Sequence, residues 1–354
     1  MLPVRPMSEI RENATIDAWV QAFARSGRQV NAPHESDAEI IELPGDDERC
    51  LAATIDTVAE EVASGLYRDH FTTGWVSVMA SLSDLAAVGA DPLGVVLSVS
   101  LPDNADEASL DRLRSGVESA CRSLDVNVLG GDLNSSAPLS VTVCALGTVP
   151  RHDHLSRLGA VPGDGVFLTG GAGSGNALGL ARAAGLDDVC FPEAGYRPTG
   201  RLAAGRALRG IASCAMDTSD GVLATLDQLS RLGGVGFELD VAPEDIVEER
   251  VAALCASLDV PVWMMLAGPH GEFELVFTVS ESRASRAVEA LREVGLAPLR
   301  LGRVRSETGI ALAADSGKRV ELDMAAVRNL PLTGRSLASY AEELRGLGKG
   351  WGLE

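Results

Sequence analysis

Apolar positions follow two periods along the chain, and the alternation between them marks the elements. Val222, Leu223, Leu226, Leu229 and Leu232 fall on one helical face. Val76, Met79, Leu82, Leu85 and Ala86 do the same over residues 73–88, with Gly89 as the stop. Leu110, Leu113, Val117, Cys121 and Leu124 mark a third helix over 107–124, and shorter helices are predicted at 176–184, 201–209 and 282–294. Strands are predicted at 39–43, 50–55, 126–129, 139–149, 166–169, 236–241, 273–279, 299–304 and 309–314. The largely apolar run 93–101 predicts a strand covered on both faces. Strands and helices do not alternate strictly, so the pattern reads as α+β, with sheets covered on one side by helices.

The same pattern suggests the organisation. Residues 1–35 form an N-terminal arm with one amphipathic segment, 16–23, either mobile or a short docking helix. The linker 150–164, with two prolines, His152 and His154, separates a domain at 36–150 from one at 151–332. Residues 333–354 read as a peripheral tail. The two halves echo each other loosely, and no short tandem repeat is present. A length of 354 residues fits two domains.

Composition narrows the class. Hydrophobic content of 46% suffices for large cores. A net charge of −20, from 30 basic and 50 acidic residues, argues against sequence-independent nucleic-acid binding. The six cysteines (50, 121, 144, 190, 214, 255) are scattered without a CxxC pair and fit a reducing cytoplasm. No apolar run reaches the length of a membrane span, and the first residues lack a signal-peptide core.

Acidic residues recur beside glycine or a hydroxyl at strand ends and helix edges: Gly45-Asp46-Asp47, Thr54-Ile55-Asp56-Thr57, Ser83-Asp84, Gly130-Gly131-Asp132 and Met216-Asp217-Thr218-Ser219-Asp220-Gly221. One such site is usually a turn. Five in an apolar framework, without His or Cys clusters, point to a hard cation with phosphate, hence magnesium. Asp84 is the sharpest case, because its apolar helix demands a partner for it. Ser219 or Asp220 is expected to cap the helix that follows. Gly170-Gly171-Ala172-Gly173-Ser174-Gly175 has phosphate-loop geometry but lacks the Lys-Ser/Thr of a Walker loop, so a plain turn remains open. Arg157 can reach a phosphate or lie on the surface. His270 and Glu272 could supply an acid/base or a substrate contact, or belong to an ordinary turn. Met264-Met265 reads as core.

Taken in order, these motifs, with Leu82 to Ala90 and Arg157-Leu158-Gly159-Ala160-Val161-Pro162-Gly163-Asp164, resemble thiamine-monophosphate kinase of the aminoimidazole-ribotide-synthetase-like superfamily, over about residues 40 to 305. The resemblance implies a two-domain fold, with N-terminal sheets pairing across a homodimer and a C-terminal α/β sandwich domain. It implies ATP and Mg2+ as cofactors, with Asp47, Thr54, Asp56, Asp84, Asp132, Asp217 and Asp220 as metal ligands. Gly131, Asp132, Arg157 and Ser219 would contact nucleotide, and Asp84, Asp220, His270 and Glu272 are the candidate catalytic groups. In-line phosphoryl transfer needs mainly positioning and charge neutralisation.

The departures lie in the acceptor half. Val58-Ala59-Glu60-Glu61-Val62-Ala63-Ser64 lacks the family's histidine, and the family's substrate glutamate aligns with Gly271 in Pro269-His270-Gly271-Glu272-Phe273-Glu274-Leu275. Ile55 replaces a threonine. The expected activity is therefore phosphoryl transfer from ATP to a small molecule other than thiamine monophosphate. The alternatives are a synthetase or cyclase that phosphorylates an amide or carboxyl oxygen, and an ATP-binding regulator without turnover. No membrane or nucleic-acid partner is expected.

Overall fold

The computed structural model describes residues 5–103, 105–135, 138–186, 189–313, 319–330 and 336–353. The first part contains α1 (Arg11–Ala22), β1 (Glu39–Glu42), β2 (Arg49–Thr57), α2 (Ala59–Ser64), α3 (His70–Ala87), β3 (Asp91–Leu101), α4 (Glu107–Ser123), β4 (Val128–Ser135) and β5 (Ser140–Pro150). Its strands form one sheet in the order β1-β2-β5-β3-β4, antiparallel except for β3 with β4. On β5 the odd residues from Val141 to Val149 are buried and the even ones partly exposed, so one face packs on α3 and the other is open.

The second part contains β6 (Gly165–Leu168), α5 (Ser174–Ala183), α6 (Leu202–Leu208), β7 (Cys214–Asp217), α7 (Val222–Gly233), β8 (Gly236–Leu239), α8 (Pro243–Ile246), α9 (Glu249–Leu258), α10 (Met264–Ala267) and β9 (Leu275–Val279). It continues with α11 (Glu281–Glu293), β10 (Leu299–Arg305), β11 (Gly309–Ala313), β12 (Arg319–Leu322), α12 (Met324–Arg328) and α13 (Leu337–Trp351). Its strands form a seven-stranded sheet in the order β12-β11-β8-β10-β6-β9-β7. Met264 and Met265 are buried, as expected.

α3 lies between the two sheets, against β2 and β5 on one side and α6 and β7 on the other. That position buries the helix almost all round rather than along one stripe. It crosses α4 very closely: a Cβ on Gly74 would stand 2.3 Å from the Leu113 carbonyl, and one on Gly116 2.1 Å from that of Phe71. Only glycine fits at either position.

Three expectations change, and the open alternative for the arm is decided. β3 is not covered on both faces. Leu93 is exposed, and Leu97, Val99 and Leu101 line an apolar cavity of about 660 Å3 beneath α4. Gly130-Gly131-Asp132 lies inside the edge strand β4, not after it. The arm is docked: Arg231 bonds Glu9 (2.9 Å) and the Pro6 carbonyl (2.7 Å), Asn13 donates to Gln228 (3.0 Å), and Asn329 bonds Arg11 and Glu9. The tail is not peripheral, because α13 packs on α5, buries Tyr340 and Leu344, and sets Trp351 edge-on to Trp263. The boundary between 332 and 333 lies outside the described residues.

Candidate active site

Three carboxylates from distant segments meet where the two sheets face each other. Asp84 comes from α3, Asp217 from the end of β7, and Asp37 from the turn before β1; one oxygen of each lies within 4.8 Å of the others. Thr54 on β2 donates its hydroxyl to Asp84 Oδ2 at 2.5 Å. Ser219 donates to Asp217 Oδ1 at 3.1 Å, and Arg157 pairs with Asp37 at 2.8 Å. The remaining oxygens Asp37 Oδ2 and Asp217 Oδ2 are buried without a hydrogen-bond partner. Burial first, then the neighbouring Asp217 and Asp37, push the Asp84 carboxyl well above the usual carboxylate range. Burial and Asp37 likewise raise Asp217. A set of hard oxygens with two unsatisfied atoms and more negative than positive charge fits a divalent cation.

Asp56 and Asp220 stand at the rim. The Thr57 N–H bonds Asp56 Oδ1 at 2.6 Å. Asp220 is open to solvent yet ringed by protein, which raises its carboxyl to about 6; Glu12 and Asp56 add repulsion and Arg328 opposes it. The expected side-chain cap of α7 is absent. Gly221 takes that position with φ +82°, and a Cβ there would stand 2.6 Å from the Gly268 carbonyl. Ser219 is thereby released to Asp217.

The second group of candidates lies behind the motif at 217–221. Glu272 is buried and accepts from the Gly173 N–H (2.7 Å) and the Thr218 hydroxyl (2.8 Å); burial raises its carboxyl to about 8. The start of the helix after the glycine run is thus bonded by a side chain of this chain, so the run serves as a structural turn. His270 is buried, with Nδ1 3.9 Å from Glu61 Oε1 and Nε2 unpartnered, and burial lowers it to about 4. Glu61 is raised to about 7 by burial, then by Asp56, Glu60 and Asp220. Asp37 and Glu61 are the functional candidates that the sequence reading missed. Asp37 carried no signal in the sequence; its pairing with Arg157 is what gives it a role.

Three expected residues lie elsewhere. Asp47 is exposed in its turn, where Asp46 accepts from the Glu48 and Arg49 N–H groups. Gly131 and Asp132 lie on exposed β4, and Asp132 accepts from Asn134 at 2.6 Å. Asp132 is in register with Ser98 and Thr142, while Asp56 is in register with Val143, so the pleat puts their side chains on opposite faces.

This geometry belongs to a recognised class. The family described as AIR synthase related protein, N-terminal domain, matches residues 35–149. AaThiL, solved in complex with AMPPCP and TMP, superposes with a TM-score of 0.71 over 91% of this chain and 98% of its own, at 21% identity. Hydrogenase maturation protein HypE in complex with ATP gives 0.66 over 83% and 90%, at 19% identity, which shows a shared fold alone. The thiamine-monophosphate kinase of Escherichia coli O157:H7 is 31% identical over 301 residues, covering 81% of this chain and 88% of that protein. That of Halobacterium salinarum is 33% identical over 258 residues, covering 71% and 85%. The chain belongs to the thiamine-monophosphate kinase family.

Proposed function

We propose that this protein transfers the terminal phosphoryl group of ATP to a small-molecule acceptor other than thiamine monophosphate. The observation that carries the reading is the Asp37–Asp84–Asp217 cluster, with Asp217 buried, Asp37 and Asp84 half-buried, and two buried oxygens left unpartnered. Asp37, Asp84 and Asp217 would hold magnesium, with Asp56 and Asp220 at the rim. Bound magnesium supplies charge neutralisation for the phosphates. Thr54 orients Asp84, and Arg157 braces Asp37. Glu61, half-protonated near neutral pH and beside His270, is placed to take the proton of an acceptor hydroxyl. Burial holds His270 neutral and keeps Glu61 and Glu272 toward their protonated forms, while Arg197, Arg201 and Arg250 line the cavity that Glu272 shares with Glu248 and Glu274.

The test is incubation with ATP, magnesium and candidate acceptors, following ADP and the acceptor's mass. An acceptor heavier by one phosphoryl group supports the proposal. Loss of water with free phosphate would replace it by a cyclase, and ATP binding without acceptor-dependent ADP by a regulator.

The same reading includes two domains, 36–150 and 151–332, and a homodimer. All eight residues of β4 are exposed, among them Val128, Leu129 and Leu133, and as the edge strand it offers unpaired N–H and C=O groups. A second copy pairing there would also give Asp132 a route to a neighbouring site. Leu129→Lys should halve the mass measured by sedimentation; an unchanged mass would remove β4 from the interface. Among the described residues no helix is long and apolar enough to cross a membrane, and the six cysteines are free thiols, which supports a reducing cytoplasm.

A further inference from the structure

The edge of the second sheet farthest from the carboxylate cluster gathers arginines that the packing of the fold does not require. β12, β11, β8 and β10 lie side by side there. β8 stands four strand spacings from β7, roughly 19 Å from the strand that delivers Asp217. One face of these strands is core, with Phe237, Leu239, Ile310, Leu312 and Leu322 buried. The pairing register sets what the other face carries. Glu238 is opposite both Arg303 and Ala311, and Ala311 is opposite Glu321, so these side chains project from the same face. Arg305 and Arg319, two residues along their strands, join them. Arg5 arrives from the N-terminal arm: its Nη1 donates to the Leu322 carbonyl at 3.1 Å, and its guanidinium lies 3.3 Å from where a Cβ on Gly309 would stand. The result is a cavity of about 660 Å3 lined by four arginines, three glutamates and Thr308.

The pairing inside this cavity is lopsided. Arg303, at 2.8 Å, and Arg319 both reach the same oxygen, Glu238 Oε1. Two guanidiniums are thereby drawn together over one charge, with their side chains 52% and 58% exposed. Arg305 forks onto Glu321, with both bonds at 2.6 Å. Arg5 meets a carbonyl and, among the described residues, no carboxylate. Ordinary cross-strand ion pairs match one cation to one anion. Here the cations are in excess, in a chain whose net charge is −20. Closely spaced guanidinium forks match the oxygens of a phosphate group, and the cavity has the size of a small-molecule site.

We propose that this cavity binds a phosphate-bearing small molecule, with the phosphate seated between Arg303, Arg319 and Arg5. The site stands apart from the carboxylate cluster and does not depend on the reaction proposed there. Since Glu9 and Asn13 fasten the same arm to α7, a ligand held by Arg5 would also tighten the docking of the arm.

The test is calorimetric titration of the full chain with inorganic pyrophosphate at low salt in EDTA, where the carboxylate cluster holds no magnesium and repels the anion. Arg303→Gln should raise the pyrophosphate Kd about tenfold, the scale of one charge-assisted hydrogen bond. Arg303→Lys should recover only part of the loss, because an ammonium keeps the charge without the fork. Glu238→Gln releases both guanidiniums and should lower the Kd by about the same factor, a gain that a damaged fold cannot give. Asp84→Asn should bind pyrophosphate as the wild type does. If the wild-type chain does not bind pyrophosphate, or if Arg303→Gln and Glu238→Gln both leave the Kd unchanged, the proposal is overturned.

Discussion

The two ends of the candidate site differ in how their buried acidic groups are satisfied. At the phosphate end, Asp37, Asp84 and Asp217 converge with Arg157 as the paired cation, and two oxygens go unsatisfied. At the acceptor end burial favours neutral forms as it does at Asp84 and Asp217, with His270 lowered to about 4, Glu61 raised to about 7 and Glu272 to about 8, but there Glu272 is bonded by the Gly173 N–H and the Thr218 hydroxyl. One end leaves carboxylate oxygens free for a cation; at the other, groups of the chain itself bond Glu272, and Arg201 pairs with Glu274.

The largest expected effect that tests this contrast is Asp84→Asn. It should lower kcat by about a thousandfold, the scale of losing a key electrostatic group, and abolish the thermal shift that magnesium produces. Because it removes one of three crowded carboxylates, it should also raise the Tm of the metal-free protein. A magnesium shift that survives the substitution would sink the metal assignment.

His270→Ala should come next. Acceptor KM should change about tenfold, the scale of one polar contact, with ATP affinity held. Equal effects on both substrates would erase the distinction between the ends.

The smallest effect is on stability against pH. Glu61 and Glu272 hold their protons more tightly folded than unfolded. The stability they contribute is therefore full below about 4.5 and is lost as pH rises through about 7 for Glu61 and about 8 for Glu272. The Tm of the metal-free protein should fall across that window, by an amount reflecting a few kcal/mol. Magnesium should lift the curve at neutral pH without removing the slope due to Glu272. A Tm that is flat from pH 5 to 8 would contradict the neutral acceptor end.

The contrast also explains what was legible in the chain. Asp84 and Asp217 stand out because a carboxylate inside an apolar helix or at the end of a buried strand breaks the local pattern. Asp37 does not, since His34-Glu35-Ser36-Asp37 reads as one more polar turn; only its pairing with Arg157, 120 residues away, gives it a role. Helix and strand positions followed from periodicity wherever one face is buried. β3 misled because its apolar side chains face a cavity and an open sheet face, and sequence alone cannot tell these from a packed neighbour. The docking of α1 and α13 was hidden for the same reason, since it depends on Asn329, Gln228 and Trp263, which carry no pattern of their own.

The clasp between the arm and the C-terminal part has a practical side. Glu9, Arg231, Asp227, Arg328 and Gln228 form one bonded chain from the segment before α1 to α12. Cutting the first dozen residues away would strip Glu9 from Arg231 and leave that arginine to Asp227 alone, in a place where its side chain is fully buried. A chain trimmed of its first dozen residues should then be poorly soluble. The leader that looks dispensable on paper is a buckle.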